Sequence, residues 1–241
     1  MIKKAVIVAA GLSSRLYPLT LEKPKGLLEI SGVEILQRSV NYLINNGVER
    51  IAVVVGYKDQ MIRESLGNNV EYIFNPFYKH CNNMGSLWFA KHFVVNEPFI
   101  YLHGDVIYDE EIVRTLIHHK NFDEWDINLV TEFGQTDEEA MKVKVDHNNF
   151  LVESSKEIAP LESAGEWTGL AVIQDPGPLM TEIEHLLATG NLNEYDTKAF
   201  TSLAKKGKRI LCSSVDGKRW IEIDFLDDYK RAKEVFGDKK F

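Results

Sequence analysis

Short apolar runs rich in branched side chains alternate along the chain with segments whose apolar residues recur at helical spacing. Residues 5–10 form the first run and have the length and composition of a strand buried on both faces. Similar runs occupy 51–55 and 70–74, and segments of helical spacing over 33–44 and 61–66 separate the three runs. This order of strand, helix, strand, helix and strand predicts a parallel sheet with right-handed crossovers.

The rest of the chain also alternates predicted strands and helices, but it includes a segment typical of antiparallel strands. Further strands are predicted over residues 98–102, 127–131, 168–173, 209–213 and 220–224. Helices are predicted from the end of the polar loop 75–83 through residue 93, and over 111–119, 179–187, 199–204 and 226–236. Between them, alternating residues 142–146, a polar turn and residues 150–152 predict a β-hairpin. We therefore predict one α/β domain over residues 1–241. Its sheet is Rossmann-like, mixed and mainly parallel, flanked by helices, with a small β-rich region in the second half.

The composition narrows the function classes. The 241 residues are 44% hydrophobic and 27% charged, as in ordinary globular proteins, and carry a formal net charge of −8. This charge, without a long basic run, argues against nucleic acid as a partner and gives no attraction to an anionic membrane. No apolar run is long enough for a signal peptide or a spanning helix. Cys81 and Cys212 form neither a disulfide framework nor a CxxC motif, so we expect a cytoplasmic protein.

The loop after the first strand has residues suited to binding phosphate. Small residues follow the strand at Gly11, Ser13 and Ser14, and Arg15 and Lys25 add positive charge. In an open α/β sheet the ligand crevice lies at the carboxyl ends of the strands, where backbone N–H groups in a turn favour anions. The structural alternative is an ordinary loop with two solvated cations. Neither the glycine fingerprint of dinucleotide-binding folds nor the phosphate loop of P-loop enzymes is present.

Two aspartates that end apolar strands are candidate metal ligands. Asp105 follows a strand and Gly104, and Asp224 ends the last strand before the closing helix. Each could instead be the N-cap of the helix that follows. As a pair they suit Mg²⁺, which binds one or two carboxylates together with phosphate oxygens and water. The sequence therefore predicts a metal site on a phosphate ligand at this edge of the sheet.

Taken in chain order, these motifs resemble those of a known family. Residues 11–25 contain Gly-x-x-x-Arg, Pro-x-Thr and Lys-Pro-Lys, residues 104–105 are Gly-Asp, and residues 220–224 are Trp-Ile-Glu-Ile-Asp. This set is similar to the motifs of the sugar-phosphate and phosphocholine nucleotidylyltransferases, and the resemblance covers essentially the whole chain. It implies the nucleotide-diphospho-sugar transferase fold. It also implies a nucleotide-binding half of about residues 1–132 and an acceptor-binding half of about 133–241 that includes the closing strand and helix.

The resemblance implies roles for individual residues. Asp105 and Asp224 fall on the two metal-binding positions, Arg15 on the triphosphate-binding arginine, and Lys25 on the lysine that contacts phosphate near the reacting centre. These four are the candidate catalytic residues. Nucleotide binding is expected from Ala9, Ala10, Gly11, Leu12, Ser13, Ser14, Arg15, Asn83, Ser86 and Gly104. Without the family, Asn83 and Ser86 would be interpreted as a helix N-cap and a helix-surface serine.

Several details favour the shorter members of this superfamily, which transfer CMP. Residues 25–30 depart from the Lys-Pro-x-x-Pro-Val motif common in sugar-nucleotide enzymes. Residues 82–87 resemble the Asn-x-x-Ser-Leu stretch of bacterial licC-type phosphocholine cytidylyltransferases. A choline-like acceptor would require aromatic faces or carboxylates around its cation. The candidate acceptor-binding residues are Lys25, Glu166, Trp167, Gly169, Glu194, Tyr195 and Asp196.

The resulting hypothesis is a Mg²⁺-dependent transfer of CMP from CTP to a small phosphorylated acceptor, with release of pyrophosphate and no side-chain nucleophile. The resemblance also implies a role in making precursors of cell-surface polysaccharides, and it allows a homodimer. One alternative is a sugar-1-phosphate uridylyl- or thymidylyltransferase, which would share every phosphate-binding residue. Another is a nucleotide-binding regulatory protein without turnover. An oxidoreductase is disfavoured because the glycine fingerprint is missing.

Overall fold

The computed structural model describes residues 2–118 and 122–237. Within these residues the strands are β1 (Lys4–Ala9), β2 (Glu29–Ile30), β3 (Val33–Glu34), β4 (Arg50–Val55), β5 (Glu71–Phe74), β6 (Phe99–His103), β7 (Val106–Tyr108), β8 (Ile127–Phe133), β9 (Lys142–Val145), β10 (Leu151–Ser155), β11 (Gly165–Ile173), β12 (Ile210–Ser214) and β13 (Trp220–Glu222). The α-helices are α1 (Leu19–Glu22), α2 (Ile35–Asn45), α3 (Asp59–Leu66), α4 (Asn83–Phe89), α5 (Glu110–Ile117), α6 (Pro176–Ala188), α7 (Thr197–Lys205) and α8 (Leu226–Phe236). No helix in the described ranges is both long and apolar enough to span a membrane.

A nine-stranded mixed sheet forms the centre of the described part of the chain. Its main path runs β10-β9-β11-β6-β1-β4-β5, and β8 joins it beside β11 and carries β12. Strand β1 pairs in parallel with β4 and β6, and β5 extends the parallel part beyond β4. Strand β11 is antiparallel to β6, β8 and β9. The prediction of a mixed, mainly parallel sheet flanked by helices is confirmed.

Side chains of β1 alternate between two cores, because successive residues of a strand point to opposite faces of the sheet. Ala5 and Ile7 belong to the core under α2, α3 and α5, whereas Val6 and Val8 belong to the core under α4, α6 and α7. All four side chains are buried. Both layers of helices therefore fix the carboxyl end of β1, from which the first loop emerges.

A third, smaller apolar cluster, called here the closing cluster, packs the last part of the chain on the first loop. Ile223, Ala232 and Phe236 belong to it together with Leu16 and with Ile30 of β2. Next to this cluster, β13 pairs antiparallel with β7. The closing helix α8 therefore packs beside the loop that follows β1, which places Asp224 near Arg15.

The start of α2 differs from its prediction for a local reason. Val33 belongs to β3 rather than to the helix, because Ser31 and Gly32 turn the chain with positive φ values of 56° and 75°. The turn returns the chain as the two-residue ladder of β2 and β3, which the sequence pattern does not indicate. Helix α2 then begins at Ile35.

Other element boundaries also differ from the predictions. Helix α4 begins at Asn83, and its N-cap is Asn82 rather than Asn83, because the Asn82 side chain accepts a hydrogen bond from the Asn83 N–H. Strand β11 begins at Gly165 rather than 168, because residues 165–167 pair with β8 and residues 165–166 also pair with β9. Helix α5 ends at Ile117, and residue 119 of the predicted helix lies outside the described residues.

Candidate active site

The loop that follows β1 is anchored by contacts within itself. Ser13 has a positive φ of 54°, and its carbonyl oxygen accepts a hydrogen bond of 2.7 Å from Thr20 Oγ1. Leu16 is buried in the closing cluster, whereas the Arg15 side chain remains 47% exposed. The Arg15 guanidinium lies 5.2 Å from the centroid of the Phe225 ring. The loop is therefore fixed at its base while its arginine faces the carboxyl-terminal unit.

Glycine at position 104 allows the ends of β1 and β6 to approach each other. The Gly104 N–H donates a hydrogen bond of 2.9 Å to the carbonyl oxygen of Val8. A Cβ atom built at position 104 would lie 2.8 Å from Ala9 Cβ, closer than real side chains tolerate. A glycine is required for such a close approach of two backbones. Asp105, the next residue, therefore lies at the same edge of the sheet as the first loop.

Lys25 lies between the two aspartates that the sequence predicts as a pair. Its Nζ atom is 2.8 Å from Asp105 Oδ2 and 3.0 Å from Asp224 Oδ1. Arg15 Nη2 lies 2.8 Å from the other oxygen of Asp224. The side chains of Lys25, Asp224 and Asp105 are 11%, 16% and 26% exposed, so water screens these ion pairs only partly.

Neither aspartate has the alternative role of a helix cap. The N-cap residue of α5 is Asp109, and that of α8 is Phe225. The backbone carbonyl oxygen of Asp105 instead accepts a hydrogen bond of 3.0 Å from the Ile223 N–H. This bond ties the end of β6 to the residue before Asp224 and brings the two carboxylates to one place.

Lys25 and Asp105 both keep their charges at neutral pH. Burial disfavours the ammonium form of Lys25, but the carboxylates of Asp105, Asp224 and Glu222 outweigh it and raise the pKa of Lys25 above its ordinary value. Burial also disfavours the carboxylate form of Asp105, but the charges of Lys25 and His103 outweigh it and lower the pKa of Asp105. The Lys25–Asp105 contact is therefore ionic.

The carboxylates around Lys25 offer ligands for a divalent metal ion. Asp105 Oδ1 is buried and has no hydrogen-bond partner among the described residues. One ligand atom from each of His103, Asp105 and Glu222 lies within 4.8 Å of the others, and Lys25 Nζ already reaches both Asp105 and Asp224. Mg²⁺ prefers oxygen ligands. The carboxylates of Asp105, Glu222 and Asp224 therefore suit this ion, whereas the imidazole of His103 does not.

His103 is held in the cleft by a buried network. Its Nε2 atom lies 2.9 Å from Asp196 Oδ2, an oxygen that also accepts a hydrogen bond of 2.5 Å from Tyr101 Oη. Asn83 Nδ2 lies 3.3 Å from the same imidazole nitrogen. Burial disfavours the imidazolium form, but neighbouring carboxylates, foremost Asp196, raise the pKa of His103 to about 9. The network joins β6 to the start of α7, where Asp196 is the N-cap.

Gly169 lies in an irregular part of β11 beside His103. The register between β11 and β8 shifts between Trp167 and Ala171, and Gly169 has a φ of 81°. A Cβ atom at position 169 would lie 2.8 Å from His103 Nδ1. The Trp167 ring meets the His103 ring edge to face, with 4.9 Å between their centroids. Glycine is needed here for both the backbone conformation and the space beside the imidazole.

Lys156 and Tyr195 bring the second half of the chain to the same cleft. Lys156 Nζ lies 5.5 Å from the centroid of the Tyr195 ring. It also forms a long ion pair of 3.9 Å with Glu139, whose side chain is 68% exposed. Arg15 and Lys25 each lie within 3.0 Å of a carboxylate oxygen. Of these three cations, Lys156 is the least neutralised by the protein.

These groups share a cleft of about 240 Å³. The predicted site residues that line it are Gly11, Ser13, Ser14, Arg15, Lys25, Asn83, Asp105, Trp167, Gly169, Tyr195 and Asp224. A smaller cavity of about 60 Å³, which shares several of these residues, adds Ala9, Ala10 and Gly104. The structure therefore gathers most of the predicted nucleotide-binding residues and all four predicted catalytic residues around one space.

Five predicted site residues line neither of these two cavities: Leu12, Ser86, Glu166, Glu194 and Asp196. Leu12 is half-buried in the loop. Ser86 is buried and accepts a hydrogen bond of 3.0 Å from Asn75 Nδ2. Glu194, which precedes α7, pairs at 2.7 Å with Lys198 on that helix.

The carboxylates of Asp196 and Glu166 also lie outside the cleft lining. Asp196 is 1% exposed and holds His103, so it acts behind the cleft wall rather than in it. Glu166 lies on β11, where burial followed by the charge of Glu222 raises its pKa to about 7. Neither Asp196 nor Glu166 lines the cleft, so we expect neither side chain to contact the acceptor directly.

Five lining residues lie outside the predicted set: Asn82, His103, Met141, Lys156 and Glu222. Two of them had a signal in the sequence. Glu222 stands two residues before Asp224 in a predicted strand, and His103 two residues before Asp105, so alternation places each on the face of its aspartate. Asn82 is the N-cap of α4, one residue before the N-cap that the sequence suggests. No sequence pattern indicates that Met141 and Lys156 line the cleft, because their positions depend on how the second half of the chain packs against the first.

The chain is similar in sequence to known nucleotidyltransferases. A family model described as Nucleotidyl transferase matches residues 4–152. The UTP–glucose-1-phosphate uridylyltransferase AglF of Haloferax volcanii is 29% identical over 236 residues, which is 96% of this chain and 95% of that protein. The CTP:phosphoglutamine cytidylyltransferase of Campylobacter jejuni is 26% identical over 250 aligned positions, covering 93% of this chain and 96% of that protein.

Solved structures share the fold. A Bacillus anthracis protein assigned as a glucose-1-phosphate thymidylyltransferase superposes with a TM-score of 0.86 at 20% identity, over 100% of this chain and 97% of that one. The CTP:phosphocholine cytidylyltransferase LicC of Streptococcus pneumoniae superposes with a TM-score of 0.76 at 22% identity, over 98% and 99%. The expected nucleotide-diphospho-sugar transferase fold is thereby confirmed.

Proposed function

Because the chain belongs to the Nucleotidyl transferase family, we propose that this nucleotidyltransferase transfers CMP from CTP to a small phosphorylated acceptor and releases pyrophosphate. One observation carries the proposal. Two cations, Arg15 and Lys25, and two carboxylates, Asp105 and Asp224, converge within 3.0 Å contacts at the carboxyl ends of β1 and β6. This is the charge pattern that a triphosphate and its metal ion require.

The first loop binds the triphosphate. Gly11, Ser13 and Ser14 line the cleft with small side chains, which lets backbone N–H groups approach phosphate oxygens. Arg15 is half exposed and able to turn from Asp224 toward the ligand. Lys25, more deeply buried, neutralises charge near the phosphorus that is attacked. When the triphosphate binds, Arg15 and Lys25 each exchange a carboxylate partner for a phosphate group.

Asp105 and Asp224, with Glu222 beside them, hold Mg²⁺ in this proposal, and the ion supplies neutralisation of the triphosphate charge. The acceptor phosphate needs no strong base, because its second pKa of about 6 leaves it largely dianionic at neutral pH. One of its oxygens forms the new bond to the α-phosphorus of CTP, the α–β bridging bond breaks, and pyrophosphate carries away that electron pair. Alignment by Lys25 and Arg15 provides the catalysis.

Lys156 orients the acceptor. It lines the cleft from the second half of the chain and lies near the Tyr195 ring, and its pairing with Glu139 is long and exposed. The acceptor phosphate supplies the negative charge that this ammonium lacks. Asn82 and Asn83 add amide groups on the same wall for the nucleotide.

The choice of CTP is supported by the full-length similarity to the Campylobacter jejuni cytidylyltransferase and by the departure of residues 25–30 from the motif of the sugar enzymes. A second candidate is a uridylyl- or thymidylyltransferase acting on a sugar 1-phosphate. The full-length similarity to the Haloferax volcanii uridylyltransferase favours it. Both candidates use the same phosphate-binding residues, so the base and the acceptor distinguish them.

The decisive experiment measures Mg²⁺-dependent pyrophosphate release with CTP, UTP, dTTP, ATP and GTP. Each is combined with small phosphates, including phosphocholine and glycerol 3-phosphate, and with hexose 1-phosphates. We expect turnover with CTP and a small phosphate. Turnover only with UTP or dTTP and a hexose 1-phosphate would replace the proposal by the second candidate. The Lys25→Met variant, which removes the cation between the two aspartates, should lower kcat by about 10²–10³-fold under the productive condition.

A further inference from the structure

We propose that the acceptor has an uncharged, hydroxyl-bearing organic part and not an ammonium group such as that of choline. The inference rests on the proposed function of the cleft and concerns its acceptor side. That side is formed by Trp167, Gly169, Tyr195, Met141 and Lys156. Recognition of an ammonium requires an open aromatic face or a free carboxylate, and each can be sought among these residues.

The aromatic rings of the acceptor side are already covered. Trp167 is 3% exposed, and its ring packs edge to face against His103 at 4.9 Å and against Phe200 at 5.5 Å. Its indole N–H donates to the carbonyl oxygen of Leu170 at 3.0 Å. The other ring, Tyr195, has Lys156 Nζ 5.5 Å from its centroid. The cation that faces Tyr195 is therefore one that the protein itself supplies.

Of the candidate acceptor-binding carboxylates, Glu166 does not line the cleft, and Asp196 and Glu194 are engaged elsewhere. Asp196 accepts hydrogen bonds from Tyr101 and His103 behind the cleft wall. Glu194 pairs with Lys198 outside the cleft. Among the described residues that line the cleft, the carboxylates are Asp105, Glu222 and Asp224, and these surround Lys25 and the candidate metal position. No carboxylate in that set is left for the organic part of an acceptor.

Lys156 decides the sign of the charge that this side accepts. An ammonium group brought close to Lys156 Nζ would be repelled by its like charge. The acceptor phosphate matches this one cation, so a second negative charge would find no further partner on this side. A hydroxyl group needs neither a cation nor a carboxylate as its partner, and it can form hydrogen bonds with amides and backbone groups. The uncharged tail is therefore the favoured one.

The test uses pairs of acceptors that differ only in this group. With CTP and Mg²⁺, kcat/KM is compared for 2-hydroxyethyl phosphate and phosphoethanolamine, which have the same length. Glycerol 3-phosphate, phosphocholine and phosphoglycolate extend the comparison to a larger polyol, a quaternary ammonium and a carboxylate. We expect the hydroxyl compounds to exceed the ammonium compounds by at least about tenfold, the ratio that 1.4 kcal/mol produces.

A charge-reversing variant makes the test specific to Lys156. Lys156→Glu should raise the ratio of kcat/KM for phosphoethanolamine over 2-hydroxyethyl phosphate by at least about tenfold, because a carboxylate replaces the repelling ammonium. The ratio is the readout, because the variant also lowers both rates if Lys156 binds the acceptor phosphate. Lys144→Met, which removes a lysine that pairs with Glu162 and does not line the cleft, should leave the ratio unchanged.

The outcomes separate the two proposals. Turnover with CTP that prefers phosphocholine or phosphoethanolamine overturns the inference and leaves the proposed function standing. A preference for phosphoglycolate over the hydroxyl compounds also overturns it, in favour of an acidic acceptor. Absence of CTP turnover with every acceptor overturns the proposed function, and the inference falls with it. An unchanged ratio in Lys156→Glu contradicts the role given to Lys156.

Discussion

Arg15 Nη2 lies 2.8 Å from Asp224 Oδ2, and this contact joins the first loop of the chain to the segment between β13 and the closing helix α8. The other oxygen of the same carboxylate lies 3.0 Å from Lys25 Nζ. Both oxygens of Asp224 thus have cationic partners from the loop region. A triphosphate would compete with Asp224 for these cations, so substitutions on either side of the contact should affect ligand binding and stability differently.

Replacing Lys25 by methionine should lower kcat by about 10²–10³-fold, because the variant lacks a cation that stabilises the transferring phosphoryl group. It should also lower the free energy of unfolding by about 1–3 kcal/mol, since Asp105 and Asp224 remain close together without their shared partner. Pyrophosphate release and urea denaturation measure the two effects. Lys23→Met is the control, because Lys23 is 36% exposed and pairs with Glu29 only at 3.5 Å. Full turnover in Lys25→Met would remove this residue from the mechanism.

Asp224→Asn should raise the Mg²⁺ concentration needed for half-maximal rate by about tenfold or more, because an amide is a weaker ligand than a carboxylate for a hard cation. The measurement is a Mg²⁺ titration of the initial rate at saturating substrates. Asp227→Asn is the matched control, since Asp227 is 91% exposed and pairs with Lys230 on the surface of α8. An identical Mg²⁺ dependence in both variants would show that Asp224 does not hold the ion.

Gly169→Ala should be more harmful than another substitution with the same backbone strain. Gly169 and Gly190 have positive φ values of 81° and 91°, but nothing lies within 4 Å of a Cβ at position 190. Gly190→Ala should therefore cost about 1 kcal/mol of stability and leave activity unchanged. Gly169→Ala adds a contact of 2.8 Å with His103 Nδ1, so it should cost about 1–3 kcal/mol more and lower kcat/KM. Equal effects of the two variants would assign no role to the contact.

Glu166→Gln should stabilise the protein above neutral pH. Burial and the charges of Glu222, Asp137 and Glu132 raise the pKa of Glu166 to about 7, whereas the unfolded chain has a value of about 4.3. The folded state therefore favours the protonated form, and stability falls as pH rises from about 4 to about 7. Urea denaturation should give equal stabilities for wild type and variant at pH 4 and a variant more stable by about 1–3 kcal/mol at pH 8.

The control for this prediction is a glutamate whose pKa moves the other way. The hydrogen bond and charge of Lys144 lower the pKa of Glu162. Glu162→Gln should therefore bring no stabilisation at pH 8. A Glu166→Gln variant that is no more stable than wild type at pH 8 would mean that the carboxylate is better solvated than its position on β11 indicates.

The nucleotide side of the site could be predicted from the sequence because it depends on short-range order. A buried parallel strand ends in a ligand-facing loop, so Gly11, Arg15 and Lys25 could be placed at the sheet edge before their contacts were known. Asp105 could be placed by the same rule, once the apolar strand before it was recognised. The convergence of these groups with Asp224 agrees with that reasoning.

The acceptor side could not be predicted in the same way. Lys156 reaches the cleft from the connection between β10 and β11, and no local pattern indicates that this connection returns to the sheet edge. The role of Asp196 depends on Tyr101 and His103, which lie nearly a hundred positions earlier in the chain. The bulge at Gly169 depends on the register of two neighbouring strands. Each is a property of the packed sheet rather than of a segment.

Strand β11 pairs with β6 of the first half and also with β8 and β9. Residues 1–132 expressed alone would leave one edge of β6 without its partner, beside the strand end that carries His103, and such an open edge invites aggregation. Exchange of whole halves between relatives would therefore break the sheet that positions the metal ligands. New acceptor specificity is more readily acquired in the connection between β10 and β11, where Lys156 can change without disturbing any strand pairing.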